Sequence, residues 1–138
     1  MYVLDTDHAS LYQQGNAQIG ERLKSLARSQ LAVTIVSYEE QVGGRLTVAR
    51  RAQTVDARVE AYRWLQFTLD FYCRMPVLQF NQTAGTILRR LQQMKLRVGT
   101  KDLLIGAITL ANDATLLTRN NQDFRRLPGL MIEDWTVR

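Results

Sequence analysis

Four acidic side chains, Asp5, Glu40, Asp102 and Asp123, each stand just after a short apolar run or in the first turn of a predicted helix. Singly, each has an ordinary explanation: Asp5 or Asp7 as a helix cap, Asp102 favoured by a helix dipole, Asp123 closing a turn. Gathered in one place they would repel, and each would resist ionisation unless a cation neutralised the group. Oxygen donors without sulfur or imidazole select a hard ion, Mg²⁺ or Mn²⁺, and Mg²⁺ keeps waters and takes further ligands from phosphate. The chain has one histidine, His8, and one cysteine, Cys73, so the common zinc arrangements and an intrachain disulfide are both excluded. Net charge is +5, and 15 of the 18 basic residues are arginine, whose planar fork fits phosphate oxygens. Acids for a metal and arginines for a phosphate backbone point to nucleic acid rather than to a membrane surface.

The elements that must position these acids follow from the apolar pattern. Short runs without alternation, Tyr2 to Leu4, Leu31 to Val36, Val77 to Phe80, Thr115 to Thr118 and Leu130 to Ile132, read as strands covered on both faces. Between them lie helical stretches: "SLYQQ", "AQIGERLKSLA", Ser37 to Arg51, Val55 to Arg74, "TAGTILRRLQQM" and "KDLLIGAITLAN". Strand then helix, repeated, predicts an α/β domain with a mainly parallel sheet. Pro76 and Pro128 punctuate in front of strands. In such a sheet polar residues just past the carboxyl ends of the strands converge in space, however distant in sequence. Thr100 is expected to cap the helix holding Asp102, and Glu40 to lie in the first turn of its own helix. At 138 residues and 46% hydrophobic, the chain has the length of one domain, 1–138, with one sizeable core.

The blocks "VLDTDHASL", "TIVSYEEQVGGRL" and "GTKDLLIGAITLANDATLLTRNNQDFRRLPGLMIEDW", in that order, resemble the PIN-domain family, specifically the VapC toxins of type II toxin-antitoxin pairs. The resemblance implies a three-layer α/β/α sandwich and a metal-dependent endoribonuclease using Mg²⁺ or Mn²⁺, with RNA as substrate. It also implies inhibition by a VapB-type antitoxin, dimerisation, and promoter DNA bound only through the antitoxin complex. Carried over by position, Asp5, Glu40, Asp102 and Asp123 match the family's acids as catalytic residues and metal ligands. Glu40 rather than Glu39 keeps the family register, because Gly44 stands four residues beyond, and Glu39 is left to solvent. Asn120 and Thr118 match polar positions that assist the last acid. Asp7 is read first as a helix N-cap and second as an outer contributor, and His8 as a packing residue rather than a base. The reaction implied is metal-assisted, in-line attack of water on a phosphodiester, with no covalent enzyme intermediate.

Two rival functions have distinct signatures. A non-catalytic PIN-like module would bind RNA or protein without cutting, and an aspartyl-nucleophile phosphohydrolase would use the "DTD" pair to form a phosphoaspartate. The second lacks the lysine motif and late acidic pair it requires. Trp64, Leu65, Phe67 and Phe71 recur at helical spacing and are expected to be core, the alternative being a groove where an antitoxin segment docks. Arg50, Arg51, Arg58 and Arg63 nearby suit either RNA phosphates or an acidic antitoxin. No basic-then-apolar leader pattern and no apolar run near ~20 residues is present, so a cytoplasmic setting without membrane contact is expected.

Overall fold

The computed structural model describes residues 1–137. Five parallel strands form the sheet: β1 (Tyr2–Leu4), β2 (Leu31–Thr34), β3 (Val77–Leu78), β4 (Thr115–Leu117) and β5 (Met131–Glu133), in the order β3-β2-β1-β4-β5. The helices are α1 (Thr6–Gln13), α2 (Ala17–Leu23), α3 (Ile35–Arg51), α4 (Val55–Arg74), α5 (Gln82–Gln93), α6 (Thr100–Ala111) and the short α7 (Asn121–Phe124). Alternate strand residues point to opposite faces, and the core divides accordingly. Val3 and Leu116 pack with Leu91, Ile105, Ile108 and Phe124 from α5, α6 and α7, whereas Leu4 and Leu117 pack with Ala9, Ile19 and Tyr72 from α1, α2 and α4. The result is the expected α/β/α layering, with helices flanking a parallel sheet. No helix among the described residues is long and apolar enough to cross a membrane.

Element boundaries differ from the sequence reading where side chains cap helices. β2 ends at Thr34, not Val36, because the buried Thr34 hydroxyl accepts the Ser37 N–H at 3.1 Å and starts α3 at Ile35. Glu40 therefore sits in the second turn of α3, not the first. α6 is capped by the extended residue Gly99, and Thr100 is its first helical residue, so the expected Thr100 cap is not formed. The segment after β4, read as a loop, folds into α7.

The aromatic stripe is the clearest departure. Trp64 and Phe67 are exposed, and α4 instead buries Ala61, Thr68 and Tyr72, with Leu65 and Phe71 half-buried. α4 packs chiefly against α3, so its inner face is the line Ala61, Thr68 and Tyr72, and Trp64 and Phe67 are left outside. Apolar spacing reveals which residues share a face; it does not reveal whether a third element covers that face.

α6 is the buried helix of the fold, and at Gly106 it meets the buried Leu127 side chain, which would have to shift to admit a larger residue. A Cβ there would lie 2.2 Å from Cδ2 of Leu127, a core residue. Gly106→Val is expected to lower stability by about 2–3 kcal/mol through overpacking, read as a drop in the urea midpoint at unchanged m-value.

Candidate active site

Asp5 occupies the first residue beyond β1, held from two sides. Its N–H donates to the Leu117 carbonyl at 3.0 Å, and its Oδ1 accepts the His8 N–H at 2.7 Å, capping α1. Asp5, not Asp7, is therefore the N-cap, because the extended residue immediately before the first helical turn is the one that meets the free N–H groups. Asp7 is the second residue of the helix, in its first turn, where the exposed Arg119 guanidinium grips both of its oxygens, at 2.6 and 2.8 Å. That hydrogen bond and charge raise the Arg119 pKa above its ordinary value.

The other acids reach the same rim from three further segments. Glu40, on α3, accepts a 2.6 Å hydrogen bond from the Thr6 hydroxyl, which also lies 2.9 Å from the buried Ser37 hydroxyl. Asp102 projects from the first turn of α6, and Asp123 from α7. A single amide joins those two: Asn120 Nδ2 donates to Asp102 Oδ2 at 3.3 Å and to Asp123 Oδ2 at 3.1 Å. Thr118, fully buried at the end of β4, accepts the Asn120 N–H at 2.9 Å and so fixes that amide rather than touching an acid itself. Asp123 is the most engaged of the four, since Arg126 also contacts its Oδ1 at 3.3 Å.

The electrostatics register this convergence. The Asp102 carboxyl is pushed above its usual range, first by partial burial and then by the charges of Glu40, Asp5 and Asp123, with the Asn120 hydrogen bond opposing. Burial, and secondarily Glu40, also push the Tyr72 phenol upward, so it stays protonated and donates to Gln41. Of the nearby cations, Arg126 contacts Asp123, whereas Arg119 is taken by Asp7 and Lys101 by Glu39. Glu39 is exposed, as its register implies.

A tighter group of possible ligand atoms is formed by Asp5, Asp7 and His8, all within 4.8 Å of one another. Of the four acids named from the sequence, Asp5 belongs to this group, whereas Glu40, Asp102 and Asp123 lie outside it. Arg119 occupies both Asp7 oxygens, and His8 is fully enclosed, its Nε2 accepting the Trp135 N–H at 3.2 Å. His8 Nδ1 has no hydrogen-bond partner and lies 3.5 Å from Asp5 Oδ1. His8 thus pins the segment after β5 beneath Asp5, a packing role.

Thr6, Ser37, Arg119 and Lys101 were not singled out from the sequence. The signal available for Thr6 was its place between the two aspartates of "DTD"; the ion pairs of Arg119 and Lys101 join residues 112 and 62 apart and left no local trace.

An apolar groove lies away from the acids. It encloses about 530 Å³ between α1, α2 and α4, lined by Tyr12, Leu23, Leu26, Phe67, Phe71 and Arg74 among others. Arg50, Arg51 and Arg58 are exposed at the far end of the α3–α4 arm, and Arg63, also exposed, pairs with Glu60 at 3.2 Å.

Comparison with known proteins agrees with this architecture. No family model matches the chain. Ribonuclease VapC2 of Rickettsia felis is 36% identical over 75 residues, which cover 51% of this chain and 56% of that protein, so the match spans little more than half of the relative. Ribonuclease VapC1 of Haemophilus influenzae is 26% identical over 140 residues, covering 99% of this chain and 98% of that protein. Among solved structures, the DNA-bound VapBC of Salmonella typhimurium superimposes with a TM-score of 0.76 at 25% identity, over 97% of each chain. Along nearly its full length, in sequence and in fold, the chain is thus similar to VapC proteins.

Proposed function

We propose that this protein is a metal-dependent endoribonuclease toxin in which Asp5, Glu40, Asp102 and Asp123 hold Mg²⁺ or Mn²⁺ and are the catalytic acids. The observation that carries this reading is the meeting of acids from separate segments: one Asn120 amide bridges Asp102 and Asp123, and the charges of Glu40, Asp5 and Asp123 bear on the Asp102 carboxyl. A set of acids that destabilise one another's charge, with oxygen donors alone, fits a hard divalent cation. When bound, such an ion neutralises the carboxylates and supplies the charge that activates water and polarises the scissile phosphate.

The chain's own residues do the positioning. Thr6 orients Glu40, the sheet edge and the α1 cap fix Asp5, and Asn120, itself fixed by Thr118, aligns Asp102 with Asp123. Preorganised side chains of this kind hold ligand oxygens on rigid elements and need no rearrangement during reaction. In the reaction water attacks phosphorus, one P–O bond forms and one breaks, and the leaving oxygen gains a proton.

The partners follow the same reading. A VapB-type antitoxin segment seats in the apolar groove between α1, α2 and α4, where exposed Phe67 and half-buried Phe71 present uncovered aromatic surface. Promoter DNA is engaged through that complex, and the toxin pairs as a homodimer. The distal arginines Arg50 and Arg51 lie about 15 Å along α3 from Glu40, by helical rise, and suit an acidic partner or a flanking stretch of RNA.

Incubating the purified protein with structured RNA and Mg²⁺ or Mn²⁺ is expected to give strand scission that excess chelator abolishes. Binding without scission would establish the non-catalytic module instead, and phosphate release from small esters would establish the phosphohydrolase.

A further inference from the structure

A second, polar groove of about 430 Å³ opens beside the acids, lined by Thr6, Asp7, Ser10, Glu40, Gln41, Gly44 and Arg45. It shares Glu40 with the candidate metal site, so anything lying in it continues directly from the reacting phosphate. Two carboxylates line it, Asp7, which Arg119 holds, and Glu40, which belongs to the candidate metal site, and the charge it offers to an anion is Arg45. That guanidinium is held in place from behind: it lies over the Trp64 ring at 4.9 Å, and its Nε donates to the Thr68 hydroxyl at 3.1 Å. An arginine so stacked keeps its terminal nitrogens available while losing little freedom when it binds.

Gly44 supplies an independent observation. A glycine inside a helix costs roughly 1 kcal/mol relative to alanine, and α3 carries two in succession, Gly43 and Gly44. Neither is needed for packing, since a Cβ at either position would meet nothing within 4 Å. Gly44 faces the groove, and Gly43 is not part of its lining. A missing side chain that nothing in the fold requires, at the groove wall next to a fixed cation, leaves room for a ligand of substantial width.

We infer that this groove is a nucleotide subsite for the RNA strand next to the scissile phosphate, with Arg45 binding the neighbouring phosphate and Gly44 giving clearance for its ribose. The inference rests on the ribonuclease reading and adds to it the path of the strand. A phosphate is favoured over a protein segment because the groove's fixed cation is a fork suited to bidentate oxygens and its walls offer no large apolar side chain for a peptide anchor.

The test compares Arg45→Gln, Arg45→Lys, Gly44→Leu and, as a control at the neighbouring position, Gly43→Leu. Each is assayed for Mg²⁺-dependent cleavage of a single-stranded oligoribonucleotide and, with chelator present, for binding of the same fluorescent strand by anisotropy, alongside its melting temperature. Arg45→Gln and Gly44→Leu are each expected to lower kcat/KM and affinity about tenfold, carried by KM, as loss of one charged phosphate contact would. Arg45→Gln also flattens the dependence of log affinity on log salt by roughly 0.7, the value for one single-strand phosphate contact. Arg45→Lys recovers the salt slope but not the full affinity, and Gly43→Leu behaves as the parent. Unchanged affinity and salt slope in Arg45→Gln, or parental binding by Gly44→Leu, overturns the subsite even if the parent cuts RNA. So does unaltered RNA binding in Gly44→Leu joined with weakened retention of a co-expressed antitoxin, which would assign the groove to a protein. A parent that binds the strand through Arg45 but never cuts it removes the ribonuclease reading and leaves the groove assignment standing.

Discussion

Asp102→Asn is expected to abolish RNA cleavage, by a factor on the order of 10³ or more, while raising the melting temperature of the metal-free protein at neutral pH. The two effects have one cause. In the folded chain Asp102 is partly buried and faces Glu40, Asp5 and Asp123, so its carboxyl holds a proton to higher pH than it would in the unfolded chain, near 3.9. Between that unfolded value and the raised one the folded state binds more protons. Stability contributed by this group therefore falls as pH rises through the window, and at pH 7 the ionised carboxylate is a net liability. Asparagine removes the charge, keeps an oxygen for Asn120, and relieves the repulsion. Because the rim is solvent-screened, the gain is modest, about 1 kcal/mol or roughly 2–4 °C in a domain of this size. It should fade as pH falls through about 3.9 and vanish well below it, where Asp102 is protonated in both states. Added Mg²⁺ should raise the melting temperature of the parent and not of the variant. Melting of the two proteins at pH 7 and pH 4, with cleavage assayed in parallel, decides the matter; a variant that melts below the parent at pH 7, or that cuts at the parental rate, contradicts the site.

Asp5 offers the second large effect, because it both caps α1 and faces the other acids. Asp5→Asn and Asp5→Ala should each lose cleavage to the same extent as Asp102→Asn, yet differ in stability. Asparagine caps a helix about as well as aspartate, so the Asp5→Asn protein keeps an acceptor for the His8 N–H and should melt near the parent. Alanine leaves that buried N–H unsatisfied and should cost about 1–2 kcal/mol relative to asparagine. A thermal or urea titration of the pair, set against their activities, separates fold from chemistry at one position. Equal stability of Asp5→Asn and Asp5→Ala would mean the cap contributes nothing; residual cleavage by Asp5→Asn would mean its charge is not required.

What could be read in the chain beforehand was whatever depends on neighbours in sequence. The unalternating runs at Tyr2, Leu31 and Thr115 are strands because a strand buried on both faces needs apolar residues at every position, and the sheet is parallel because a helix separates each strand from the next. The acids at strand ends could be grouped on the same basis, from the geometry of an open parallel sheet. Capping was read less well. Asp5 and Asp7 are equally good cap residues by type, as are Thr34 and Thr100 for their helices, and only the backbone conformation at the helix start distinguishes the true cap from its neighbour. The exposure of Trp64 and Phe67 was out of reach for a different reason: an amphipathic stripe is identical in sequence whether it meets the core or meets a partner.

By itself, then, the sequence determined the layered parallel architecture, the oxygen-only character of the acidic set and the arginine-rich charge, all of them consequences of residue type and local order. The tertiary structure alone decided that Asn120 bridges Asp102 to Asp123, that Thr6 orients Glu40, that Arg119 takes Asp7 out of the acidic set, and that Arg45 is fixed over Trp64 beside an open groove. The longest of these contacts close between residues far apart in the chain, across strand ends that lie side by side only once the sheet has formed. A hydrogen bond or ion pair needs its partners within about 3 Å, and the order of residues along a chain carries no information at that distance until the fold supplies it.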